Sequence, residues 1–210
     1  VFNGIFESAG GGVTWQSAGT KTFRNGIRGS GPMTATTSGK WIINGTTAEL
    51  GGSGSLTAPA TGLEIGPASV VSLTSNKTVT GDIALLANSY VDLGANNLTV
   101  TGVITGGSST SYIRTSGTGV LTLPAIDNVT PETFPIGVTS YNPLVIGNGS
   151  GSDFSARVAN GINNPSGAIP TDAVQRTWYI NASVVTPGVN ITYQYNLAEC
   201  VNAAATQPTN

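Results

Sequence analysis

The chain has 210 residues, of which 39% are hydrophobic and only 9% charged, with 29 glycines, a formal net charge of −2 and no histidine. The apolar share is enough for a sizeable core, and the eight scattered basic residues exclude nucleic-acid binding through a clustered cationic patch. Without histidine, and with Cys200 alone, an intramolecular disulfide, a Ser-His-Asp triad and the usual zinc sites are excluded as well.

Val1-Phe2-Asn3-Gly4 reads as strand and turn rather than as a signal peptide, so the numbering is expected to begin on a mature or excised segment. No apolar run approaches the length of a membrane-spanning helix. From Val1 to Pro124, runs of three to five β-favouring residues alternate with Gly, Asn and Ser clusters. Val13-Thr14-Trp15, Lys21-Thr22-Phe23, Met33-Thr34-Ala35 and Trp41-Ile42-Ile43 come first, then Leu63-Glu64-Ile65 and Val70-Val71-Ser72-Leu73. This texture predicts an all-β fold.

A repeat decides which all-β fold. Val71-Ser72-Leu73 returns as Val91-Asp92-Leu93, Asn76 as Asn96, and Thr78-Val79-Thr80-Gly81 as Thr99-Val100-Thr101-Gly102 one residue later. A period of about 20 residues with several short strands is that of a right-handed parallel β-solenoid, with an antiparallel sandwich as the alternative. Strand alternation then sends Val71, Leu73, Val91 and Leu93 inward and Ser72 and Asp92 outward. Asn76 and Asn96 are expected at one corner of successive coils, where Asn tolerates left-handed geometry, and Thr78/Thr99 and Thr80/Thr101 as two short outer ladders.

After a Gly-Ser interruption at 106–111, Tyr112–Thr115 and Gly119–Leu123 read as a closing hairpin-like pair. Beyond Pro124 the strands lengthen: Thr133–Ile136, Pro143–Ile146, Phe154–Val158, Thr177–Ile180 and Val189–Tyr195, the last placing Val189, Ile191, Tyr193 and Tyr195 on one half-buried face. The expected organisation is a β-solenoid of about six coils over 1–124, a connector over 125–132 and an immunoglobulin-like β-sandwich over 133–210. The sandwich counts about five strands where seven are typical, and Ala203–Asn210 supplies no closing strand.

Thr133-Phe134-Pro135-Ile136-Gly137, Tyr141–Ile146, Phe154–Val158 and Arg176–Ile180 together resemble a module of large secreted surface proteins of Bacteroidetes-type bacteria. Tyr112–Thr115 through Gly119–Leu121 is similar to the segment leading into it. The resemblance spans roughly residues 88 to 199. It implies a β-repeat region ahead of the module and export by the type IX secretion system, although no sorting domain is visible. Cys200 stands where the family carries an acidic residue.

Candidate chemistry is sparse. Glu49, Glu64 and Asp92 share an apolar–acid–apolar–Gly context and could project from one outer face, the paired-carboxylate requirement of a glycosidase or polysaccharide lyase. Their spacings of 15 and 28 residues do not fit the coil. Cys200 reads as a buried or cross-linking residue rather than a nucleophile, and a structural calcium on Asp and backbone oxygens is a minor alternative. The Thr-Val-Thr ladders raise ice binding, with only two coils carrying them clearly. Tyr90, Tyr112 and Tyr141 are candidate contact aromatics, although packing is the simpler role for each. The sequence therefore designates no catalytic, cofactor or metal residue. It predicts a non-enzymatic, extracellular structural or adhesive protein whose partners are other copies of itself, neighbouring surface proteins, glycans or cell surfaces, with strand addition into a filament as a variant and a carbohydrate-active enzyme as the alternative.

Overall fold

The computed structural model describes residues 1–163, 173–184 and 187–200. Each of the first five coils adds one strand to each of three parallel sheets, and the sixth adds to the first two. The repeat that marked the sequence supplies Val70–Leu73 to the first sheet, Lys77–Thr80 to the second and Ile83–Leu85 to the third. The first sheet runs through Phe6–Ser8, Gly26–Gly29, Ala48–Gly51, Val70–Leu73, Tyr90–Asp92, Tyr112–Arg114 and Ile136–Gly137. The second runs through Val13–Trp15, Met33–Ala35, Leu56–Thr57, Lys77–Thr80, Leu98–Val100 and Leu121–Ile126. The third holds Lys21–Phe23, Trp41–Ile43, Leu63–Ile65, Ile83–Leu85 and Ile104–Thr105. The chain is thus an all-β parallel solenoid of about six turns, with equivalent positions 20 to 23 residues apart.

Stacked like residues explain why the coils hold. Ile27 pairs with Leu50 and Leu50 with Leu73 in the first sheet, while Trp41, Leu63, Ile83 and Ile104 form one ladder of the third. Val71, Leu73, Val91 and Leu93 are buried as expected, with Ser72 exposed and Asp92 half-buried. No coil encloses these side chains alone; each is covered by the coils above and below. Corners need glycine where coils nearly touch: Gly26 has φ 107° and a Cβ there would stand 1.9 Å from the Glu49 carbonyl oxygen, a place no L side chain fits. At the other end of the bore Phe2, Phe6, Trp15, Phe23 and Trp41 pack ring against ring, with centroids 5.1 to 6.4 Å apart.

Three local expectations are corrected. Tyr112–Arg114 and Leu121–Ile126 are not a hairpin: they belong to different sheets and stack on the coil before them, so the interruption at 106–111 is only a longer corner. Asn76 matches Asn97 rather than Asn96, because Lys77 pairs with Leu98, and the asparagines in the left-handed region are Asn88 and Asn148, at φ 58° and 60°. Ile191 and Tyr193 of the strand Asn190–Tyr193 are 43% and 56% exposed, so the half-buried face expected there is largely open.

The antiparallel part grows directly from the stack. Leu121–Ile126, which crosses residue 124, pairs antiparallel with Ser152–Asn160, and that strand pairs with Arg176–Ala182. Both extend the second sheet. A separate antiparallel sheet joins Glu132–Phe134, Leu144–Gly147 and Asn190–Tyr193. Phe134, Leu144, Ile146, Phe154, Ala156 and Val158 belong to the same buried cluster as the coil residues. The stretch Ala203–Asn210 lies outside the described residues.

Candidate functional site

The three outer faces of the solenoid differ in chemistry. On the first sheet charges alternate up the coils. Glu7 meets Arg28 at 3.3 Å, Arg28 meets Glu49 at 3.4 Å and Asp92 meets Arg114 at 3.4 Å. The Arg114 guanidinium also lies 3.5 Å from the Tyr90 ring centre, a cation–π contact. Tyr90 packs edge-on against Tyr112 at 5.1 Å, and Tyr112 against Tyr141 at 5.9 Å. Burial pushes the phenols of Tyr112 and Tyr141 above their ordinary pKa, Arg114 opposing the shift at Tyr112. The three tyrosines are therefore packed into one row rather than presented singly.

The candidate acids are divided by this geometry. Ser72 stands between Glu49 and Asp92 on one ladder of the first sheet, which sets their backbones about 9.6 Å apart at ~4.8 Å per strand. Glu64 lies on the third sheet between Ile42 and Ala84 and pairs with Lys40. The three acids do not share an outer face; Glu64 and Asp92 each face a cation, and Glu49 shares Arg28 with Glu7.

A carboxylate pair that the sequence did not single out lies at the junction with the antiparallel part. Asp127 accepts the backbone N–H groups of Val129 and Thr130, each at 2.8 Å, and those bonds hold its pKa below the usual carboxylate value. Glu132 is pushed the opposite way, by burial and then by Asp127. Both line a hollow of about 140 Å³ with Val100, Leu123 and Pro124. The only signal in sequence is an Asp followed by turn formers, which is common to many loops.

Further along, Glu199 is fastened from several sides. Arg176 meets it at 2.9 Å, Asn142 donates to it at 2.7 Å and the Ser140 hydroxyl donates as well. The Arg176 and Glu199 side chains are only 10% and 6% exposed. Trp178 adds its indole N–H to the Asn142 carbonyl at 3.2 Å. This network ties the 3₁₀ turn Leu197–Glu199 to the loop at 139–142. Cys200, half-buried and free, follows it with its N–H on the Leu197 carbonyl.

The second sheet carries no outward charge in its coil strands, and Asp153 and Arg157 project only from the strand Ser152–Asn160 that extends it. Thr14, Thr34, Thr57 and Thr80 are consecutive partners in one outward column. Thr78, Thr99 and Thr122 form a second, which Ser155 continues. Lys77 belongs to the same sheet but turns inward, donating to the carbonyls of Gly52 at 2.6 Å and Gly54 at 2.8 Å, and burial lowers its pKa from 10.5 to about 8. The Thr-Val-Thr pair seen in the sequence is thus part of a longer array.

No protein-family model matches the chain, and neither a curated protein nor a solved structure matches it. Among the described residues no group of three or more Cys, Asp or Glu is placed to hold a metal ion.

Proposed function

We propose that the chain is a secreted, extracellular structural or adhesive protein without enzymatic activity, a stiff β-rod that presents or spaces binding surfaces. The observation that carries this reading is the one core running from Phe23 through the coils to Val158. Parallel ladders on three sides fix every coil against its neighbours, so an outer face keeps its spacing when the rod is loaded. The acids of the coils point the same way: Glu49, Glu64 and Asp92 are spent on cations. Association with other copies by strand addition has a place to occur, because Arg176–Ala182 pairs with Ser152–Asn160 on one side only among the described residues, and an open edge is a template for another strand. Beads coated with the chain should be retained under flow on cell or glycan surfaces, and loss of retention on all of them, together with a monomeric sedimentation profile, would remove the reading.

A second reading, a carbohydrate-active enzyme, draws on Asp127 and Glu132, whose opposite pKa shifts resemble the division between a charged carboxylate and a proton donor. Turnover on a polysaccharide panel that vanished in Glu132→Gln would establish it over the first.

A further inference from the structure

We infer that the outward face of the second sheet is an ice-binding surface, one that orders water into a lattice matching a crystal face. Its distinguishing feature is a pair of threonine columns, offset along the stack, that stand side by side in the strand Lys77–Thr80. The column from Thr14 to Thr80 and the column from Thr78 to Thr122 advance one residue per coil in continuous register. Parallel pairing sets the repeat up the stack at about 4.8 Å, and alternate residues along a strand at about 6.6 Å. The spacing up the stack is close to the shorter oxygen repeat on a prism face of hexagonal ice, and the strand Lys77–Thr80 adds the second direction through Thr78 and Thr80.

Strand propensity alone does not place threonine this way. Threonine suits any half-buried strand, yet the equivalent outward positions of the other sheets hold Glu49, Ser72, Asp92 and Arg114 on one and Ile42, Glu64 and Ala84 on the other. Only the second sheet keeps the hydroxyl and methyl pair from coil to coil. Its coil strands also present no charge outward. A cation grips water in orientations of its own, and the one Lys in these strands has its ammonium drawn into the wall by Gly52 and Gly54.

The hydroxyls are free to serve water. Among the described residues, Thr78, Thr80, Thr99 and Thr122 have side chains without a hydrogen-bond partner in the protein. Their methyls make the surface apolar enough that water above it is held by its own neighbours, while the hydroxyls pin the layer in place. A crystalline polysaccharide is the less suitable occupant, since flat sugar rings stack on aromatic side chains and neither column contains one. The first aromatic on this side, Tyr179, lies two strands past Thr122 with Arg157 3.7 Å from its ring centre.

The test is ice growth in the presence of the purified chain, read as thermal hysteresis, crystal shaping and inhibition of recrystallisation. The expected result is activity in the native chain, its loss in Thr99→Tyr, and its retention in Ala84→Tyr on the third sheet, with circular dichroism establishing that both variants keep the native fold. Thr78→Val, which keeps the shape and removes one hydroxyl, serves if Thr99→Tyr fails to fold, and a reduced hysteresis is expected of it. No hysteresis or shaping by the native chain overturns the inference. So does equal loss in Thr99→Tyr and Ala84→Tyr, or binding to crystalline cellulose through the Thr face without any effect on ice.

Discussion

The side-chain carbonyl of Asn76 accepts the backbone N–H of Asn97 at 2.8 Å, one coil above it. Asn97 then repeats the bond to Val120 at 3.1 Å, so side-chain amides add to the backbone bonds from Lys77 to Asn97 and from Leu98 to Val120 in joining successive coils at this corner. Asn97→Ala removes an acceptor from Val120 and should cost about 1 kcal/mol, whereas Asn97→Asp, which keeps the acceptor, should cost less. Urea unfolding of the three proteins side by side checks this, and equal stability of Asn97→Ala would mean that water replaces the amide without loss.

The pair formed by Arg176 and Glu199 is the most buried ion pair of the described residues. Arg176→Leu leaves the Glu199 carboxylate in that enclosure with neutral donors alone, Asn142, Ser140 and the Asn196 backbone N–H. A loss of about 3 kcal/mol is expected, concentrated on the turn Leu197–Glu199, and hydrogen exchange there should accelerate more than in the coils. The double variant Arg176→Leu/Glu199→Leu should recover much of the loss, because no charge is then stranded.

Lys77 predicts a pH dependence of definite sign. Below pH 8 its ammonium is present in both folded and unfolded chains, and the burial cost stands in full. Between about 8 and 10.5 the folded chain releases a proton that the unfolded chain keeps, so stability rises with pH over that window. The thermal midpoint should climb from pH 8 toward pH 10 in the native chain, and Lys77→Met should flatten this part of the profile. Above pH 10 the raised phenols of Tyr112 and Tyr141 act in the opposite direction.

Gly26 tests the corners. With φ 107° and the Glu49 backbone where a side chain would go, Gly26→Ala must displace the neighbouring coil. Strain at such a position is on the order of 1–3 kcal/mol before any packing loss is counted. Gly94, at φ 57° with open space around it, is the comparison: Gly94→Asn should be tolerated far better, since Asn accepts the left-handed region.

The coil was legible where its length stayed constant. Val71 and Val91 are 20 residues apart and share their flanking pattern, so their stacking could be read directly. Thr14, Thr34 and Thr57 belong to the same column as Thr80, yet they stand in Val-Thr-Trp, Met-Thr-Ala and Leu-Thr, and the spacing lengthens from 20 to 23 residues after Thr34. A register set by backbone pairing tolerates such insertions, and a sequence period does not. The same effect disguised Tyr112–Arg114 as half of a hairpin. Glu199 was invisible for a different reason: its partners Ser140 and Asn142 are 59 and 57 residues away, and nothing local marks a long-range polar network. The acids Glu49, Glu64 and Asp92 looked alike because their neighbours were alike. Which sheet each one occupies depends on corner lengths, and those separate Glu64 from the other two.

The reversal at Leu121–Ile126 gives the rod a direction. Every ladder of the second sheet up to that strand has its chains running the same way, and the next strand, Ser152–Asn160, runs against them. The edge at this end is Arg176–Ala182, which runs in the sense of the coils again but is separated from them by the reversed strand Ser152–Asn160. Any chain that joins at Arg176–Ala182 with its strand antiparallel to that edge runs parallel to Ser152–Asn160, and so opposite in sense to the coils. Two identical rods meeting edge to edge there would be related by a two-fold axis, which closes after one pair, rather than by the translation that would lengthen a fibre.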